Sequence, residues 1–203
     1  MKKQLQVISN SIYTRTPFID RAAVASHTYS VSSLVLQFFI FSFIGWLWEV
    51  LLHVYTDHAF INRGVMTGPW LPIYGSGGIL MLLLLKRLAE NPKKLFLSIM
   101  ALCGVIEYVT GTFLEYVFHA KWWDYSDMLF NIQGRVCLAG LLLFAVGGCL
   151  IIYVGAPWLD RKLSTMPVYV RRGLCIVLLL IFAGDAIFSV FQPNTGAGIT
   201  FPH

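Results

Sequence analysis

VSSLVLQFFIFSFIGWLWEVLLHVY (31–55) decides the fold class. It holds one acid in 25 residues, and as a helix it is long enough to cross a hydrocarbon core of ~30 Å with some tilt. Four further apolar runs follow, at 71–85, 95–118, 136–158 and 174–191. The gaps 56–70, 86–94, 119–135 and 159–173 are too short for a separate domain. In lipid, a single segment satisfies all its backbone polar groups only as a helix. The expected fold is therefore an all-α, polytopic transmembrane helical bundle of about five spans.

Composition agrees. The chain is 57% hydrophobic and 12% charged, with a mean hydropathy of +0.70, whereas soluble domains carry about a quarter charged residues. The net charge is +5. In a soluble protein that excess would suggest nucleic acid; here it follows the positive-inside rule, and no nucleic-acid partner is expected. With the N-terminus inside, twelve of the fifteen Lys and Arg residues fall on the cytoplasmic side. Only Arg63, Lys121 and Arg135 fall outside. Residues 1–28 read as a cytoplasmic N-terminal arm, 29–191 as the transmembrane helical domain, and 192–203 as an extracytoplasmic tail. The arm lacks an apolar core near its start, so no cleavable signal peptide is expected. These features predict a multi-pass membrane protein.

Charges that break the apolar pattern carry the chemistry. Glu49 lies in the first run, Glu107 and Glu115 in the third, Asp185 in the fifth. A carboxylate at mid-bilayer costs about 2.5–3.5 kcal/mol, so such residues face the protein interior and have a partner or a task. In the predicted orientation all four sit at the middle or in the outer half, level with Arg63 and Arg135. The inner half shows no such residue. Ser42, Gly45, Glu49 and His53 share one helical face; Glu107, Gly111 and Glu115 share another. These faces predict one polar pocket between spans one, three and five, opening outward. Arg63 and Arg135 neutralise at most two of the four acids.

The stretch Asn62–Gly78 holds two prolines and five glycines. It predicts a second span broken at its outer end, with irregular backbone lining a cavity. Asn62 and Tyr74 belong to this edge of the pocket. Trp122–Asp127 and Phe130–Arg135 mix aromatic residues with turn formers. They predict an ordered loop capping the pocket, with Trp123, Asp124, Tyr125 and Asn131 as candidates. The four cysteines form no CxxC pair and read as small core residues. No zinc spacing, phosphate loop or nucleophile elbow occurs, so neither a metal nor a cofactor is expected.

The strings GWLWE (45–49), NRGVMTGPWLPIYGSGG (62–78), EYVTGTFLE (107–115) and WWDYSDMLFNIQGRVCL (122–138) carry a family resemblance. Over roughly residues 35–155 the chain resembles the bacterial family labelled "putative ABC-transporter permease" (CmpB-like, type IV). The resemblance implies a membrane transport component, either a permease subunit with a separate ATPase or membrane partner or a small carrier. Two other readings stand beside it. One is a membrane-embedded enzyme acting on a lipid or lipid-linked substrate at the outer leaflet, with paired carboxylates as acid and base. The other is an accessory or assembly subunit.

Overall fold

The computed structural model describes residues 19–196 and 199. Most of the N-terminal arm, with Lys2, Lys3, Arg15 and Pro17, and the end of the tail lie outside them.

A short helix α1 (Arg21–Ser26) is capped by Asp20, whose carboxylate accepts from the Ala23 N–H at 3.1 Å. Ser30 caps α2 (Val31–Thr56) in the same way, through the Ser33 N–H at 3.2 Å. After the non-helical segment 57–71 comes α3 (Pro72–Leu80). It continues without a break through a wide π turn (Met81–Leu85) and a tight 3₁₀ turn (Lys86–Glu90). Asn91 alone separates it from α4 (Pro92–Phe118) and caps that helix. A two-stranded hairpin, β1 (Asn131–Ile132) and β2 (Val136–Cys137), precedes α5 (Leu138–Leu150). A second wide turn, Ile151–Gly155, joins α5 to α6 (Ala156–Ser164). Pro157 explains that turn, because it has no N–H to donate to the carbonyl of residue 153 and its ring crowds that carbonyl. The last helix is α7 (Val168–Phe191).

Five helical stretches are long and apolar enough to cross a membrane: Val31–Thr56, Pro72–Glu90, Pro92–Phe118, Leu138–Ser164 and Val168–Phe191. The protein is an all-α, polytopic bundle, as the apolar runs predict. Two expectations are corrected. Span two is not a 15-residue stub, since its helix reaches Glu90 and its 19 residues rise roughly 28 Å. Nor do Gly75, Gly77 and Gly78 break it, for all three are helical. Pro72 occupies the first turn, where its missing N–H costs nothing. The glycines admit close neighbours, since a Cβ on Gly75 would collide with Ser42 Oγ and one on Gly78 with the Phe41 ring. Close packing offsets the weak helix propensity of glycine. The irregular backbone lies earlier, in 57–71.

Helix α2 packs most closely on α3, α4 on α5, and α7 mainly on α2. Leu82, Leu95, Ile99, Ala145 and Ile152 form a buried core between α3, α4 and the α5–α6 turn. Only 11% of the apolar window of α7 is buried. Its Val177, Leu180 and Ile181 are exposed, which suits a lipid-facing helix.

Candidate functional site

The two polar faces read from the sequence exist, but they meet different partners from those expected. On α2, Ser42 and Gly45 are buried against α3. A Cβ on Gly45 would collide with the Tyr74 ring, so the missing side chain is what lets Tyr74 lie across α2. From there the Tyr74 hydroxyl donates to Glu49 Oε1 at 2.6 Å. Span two, not span five, therefore covers this face.

On α4, Glu107 is buried, at 4% exposure. The Tyr125 hydroxyl, brought in by the loop 119–135, donates to its carboxyl group. Its Oε2 is buried with no hydrogen-bond partner among the described residues. Burial, with Glu107 facing it, pushes the Tyr125 phenol well above its ordinary range, so it stays a donor. Glu107 lies within electrostatic reach of Glu49, and Tyr74 of both Glu107 and Tyr125. Two carboxyl groups, Glu49 on α2 and Glu107 on α4, thus lie within electrostatic reach of one another. Neither stands in an ion pair among the described residues.

The other charges are engaged elsewhere. Arg135 Nη2 donates to Glu115 Oε2 at 2.6 Å, and its Nη1 to Gln133 Oε1 at 2.8 Å. Arg63 Nη1 lies 2.7 Å from His53 Nε2, and its Nη2 donates to the Trp122 carbonyl at 2.6 Å. Arginine has only donors, so His53 Nε2 is the acceptor. Asp185 is not part of the acid pair. Its carboxylate accepts from Thr67 N (3.2 Å), Gly68 N (2.9 Å) and Trp70 Nε1 (2.7 Å). It fastens the 57–71 segment to α7. The single pocket expected between spans one, three and five gives way to three separate groups.

The remaining candidates organise the two loops. Asn62 Oδ1 accepts from Trp46 Nε1 at 3.0 Å and from Gly64 N at 3.2 Å. Asp124 accepts from the Ser126 N–H at 2.9 Å and from its hydroxyl at 2.5 Å. Those bonds, the hydroxyl first, hold the Asp124 carboxyl below the usual range. Asn131 Nδ2 donates to the Ser126 and Met128 carbonyls, and its Oδ1 accepts from Gly134 N. Gln133 and Gly134 both have positive φ, and the Arg135 N–H donates to the Ile132 carbonyl at 3.0 Å, in the manner of a type I′ turn. Trp123 Nε1 donates to the Arg135 carbonyl at 2.8 Å. A Cβ on Gly111 would sit 3.3 Å from the Trp123 ring, so that glycine lets the loop lie on α4.

Two residues escaped the sequence reading. Asn194, just past α7, donates to the Asn62 and Gly64 carbonyls at 2.6 and 2.8 Å; nothing in its surroundings marks it. Asp160 is buried at the opposite end, accepting from Ser33 Oγ at 2.5 Å beside His27 Nε2 at 2.9 Å. It lies at the basic end of the bundle, directly before Arg161 and Lys162. The available signal was Pro157, which starts a new helical turn rather than ending the span.

The family described as "Putative ABC-transporter type IV" matches residues 36–190. The chain belongs to this family. The match reaches into all five spans and covers both loops, extends beyond the resemblance into α7, and contains every candidate residue. The helix α1 lies before it. Neither a curated protein nor a solved structure matches the chain. Family and helices together make this an ABC-transporter-related, multi-pass membrane protein.

Proposed function

We propose that this protein is a membrane transport component, a permease subunit or small carrier of the bacterial cytoplasmic membrane, and that Glu49 and Glu107 bind its cationic cargo. One observation carries the reading: Glu107 is buried in a spanning helix with an unpartnered carboxyl oxygen, within electrostatic reach of a second carboxyl and in no ion pair among the described residues. An acid kept only for scaffolding has a partner, as Glu115 and Asp185 do.

The orientation follows from charge. The turns around residue 91 and residue 166 carry Lys86, Arg87, Lys93, Lys94, Arg161, Lys162, Arg171 and Arg172. In this reading they face the cytoplasm, and the loops holding Arg63 and Tyr125 face outward. A separate ATPase would dock at the cytoplasmic end, since the chain has no nucleotide-binding motif of its own.

The test is flux in vesicles reconstituted with the protein and whatever purifies with it from its native membrane. Wild-type vesicles should move protons or monovalent cations, and Glu107→Gln should abolish the movement while the protein stays folded. Equal flux with Glu107→Gln would sink the reading.

A further inference from the structure

The basic end of the bundle holds a second polar group, which neither the acids near the outer loops nor the loops themselves touch. Asp160 on α6 stands at its centre. Its Oδ1 accepts from the Ser33 hydroxyl at 2.5 Å, and its Oδ2 lies 2.9 Å from His27 Nε2. A carboxylate only accepts, so the Ser33 proton points at Asp160. Ser33 Oγ must then accept from Gln37 Nε2, at 3.0 Å. That fixes the Gln37 amide and turns its Oε1 away from the group. Ser33 and Gln37 are fully buried, and Gln37 Oε1 has no hydrogen-bond partner among the described residues.

Helix α1 and the linker that follows it reach over this end. With six residues, α1 is too short to hold its helix alone in water. It rests on the 3₁₀ turn that ends span two and on the wide turn of span four. Val24 is buried there, with Ile19, Ala25 and Tyr29 half-buried beside it. The polar fastenings sit together in the linker. Lys86 Nζ donates to the His27 carbonyl and lies 5.5 Å from the centre of the Tyr29 ring. The His27 side chain meets Asp160 while still 32% exposed. The whole segment precedes residues 36–190, where the family match lies.

Two sets of forces oppose each other at this end. Closure gains the Val24 contact and the His27–Asp160 bond. It also keeps a carboxylate from water and leaves Gln37 Oε1 unsatisfied, and hydration on opening would offset both losses. Closed and open forms that differ by so few contacts lie close enough in free energy to interconvert.

We propose that α1 and its linker form a strap that opens and closes over the basic end, with His27–Asp160 as its clasp, and that opening admits water to Asp160, Ser33 and Gln37. The strap lies at the end opposite the outer loops and stands or falls apart from the transport reading.

The experiment uses the purified full chain in detergent. Hydrogen exchange follows the strap. A water-soluble carbodiimide, with mass spectrometry to locate the adduct, follows access to Asp160. In the wild type, exchange at residues 24–29 should outpace that at residues 95–103 of α4, and Asp160 should be labelled slowly. His27→Ala removes the clasp and leaves Asp160 in place. It should speed both readouts about tenfold, as the loss of a hydrogen bond to a charged group does, while residues 95–103 stay protected. His27→Gln keeps a side-chain N–H and should lie closer to the wild type. An Asp160 that never reacts in the wild type would show an end that stays shut. Unchanged rates in His27→Ala would show that packing alone holds α1. Equal speeding along the whole chain would make the contact part of the global core. Each of these three results overturns the proposal.

Discussion

Gly45 and Gly147 are both glycines of long apolar helices, yet their surroundings differ. A Cβ on Gly45 runs into the Tyr74 ring, while nothing lies within 4 Å of one on Gly147. Gly45→Ala should therefore cost about 1–3 kcal/mol by overpacking and lower the Tm, whereas Gly147→Ala should leave it unchanged or slightly higher. A thermal-unfolding comparison of the two variants checks this. Arg135→Ala strips Glu115 of its ion-pair partner and should destabilise by about 2 kcal/mol; adding Glu115→Gln should recover part of the loss. At this scale the acids were legible, because a carboxylate in an apolar run stands out by its cost. Their partners were not. Tyr74 and Tyr125 reach Glu49 and Glu107 from elements distant in sequence, and Asp185 meets backbone N–H groups that carry no side-chain signature.

The two loops that flank the acid pair are docked elements. Asp185 holds Thr67 and Gly68, Asn194 holds Asn62 and Gly64, and Arg63 ties the first loop to the second through the Trp122 carbonyl. Hydrogen exchange should resolve these fastenings. Asp185→Ala should speed exchange at residues 67–70, and Asn194→Ala at residues 62–66, each leaving the core helix α4 protected. Uniform protection in both variants would show that packing alone holds the segment. The five apolar runs were plain in the sequence, but their ends were misread wherever proline intervened. Pro72 read as a breaker, whereas it occupies the first turn of a helical segment and lets its span continue. Turn formers such as Asp124 and Asn131 announced an ordered loop but not the helix face it covers.

At the scale of the whole molecule, charge separates the two ends. Thr165, between α6 and α7, lies at the basic end; Asp57, after α2, lies at the other. In a cysteine-free background, Thr165→Cys should react with an impermeant maleimide only from the cytoplasmic face, and Asp57→Cys only from outside. The reverse pattern would invert the bundle. This asymmetry was readable from Lys and Arg positions alone, because it is a sum over the chain. The separation of the acids into one unpaired couple and two engaged groups is not such a sum. It depends on which helix packs on which, and span two took the place expected of span five.

That separation is the core of the account: Glu107 is the acid left available, while Glu115 and Asp185 are occupied. Labelling with a hydrophobic carbodiimide tests it most directly, because the reagent reaches carboxyl groups from within the bilayer and mass spectrometry locates the adduct. The account predicts an adduct on Glu107, with Glu115 and Asp185 unmodified. An adduct on Glu115 or Asp185 with Glu107 spared would contradict it.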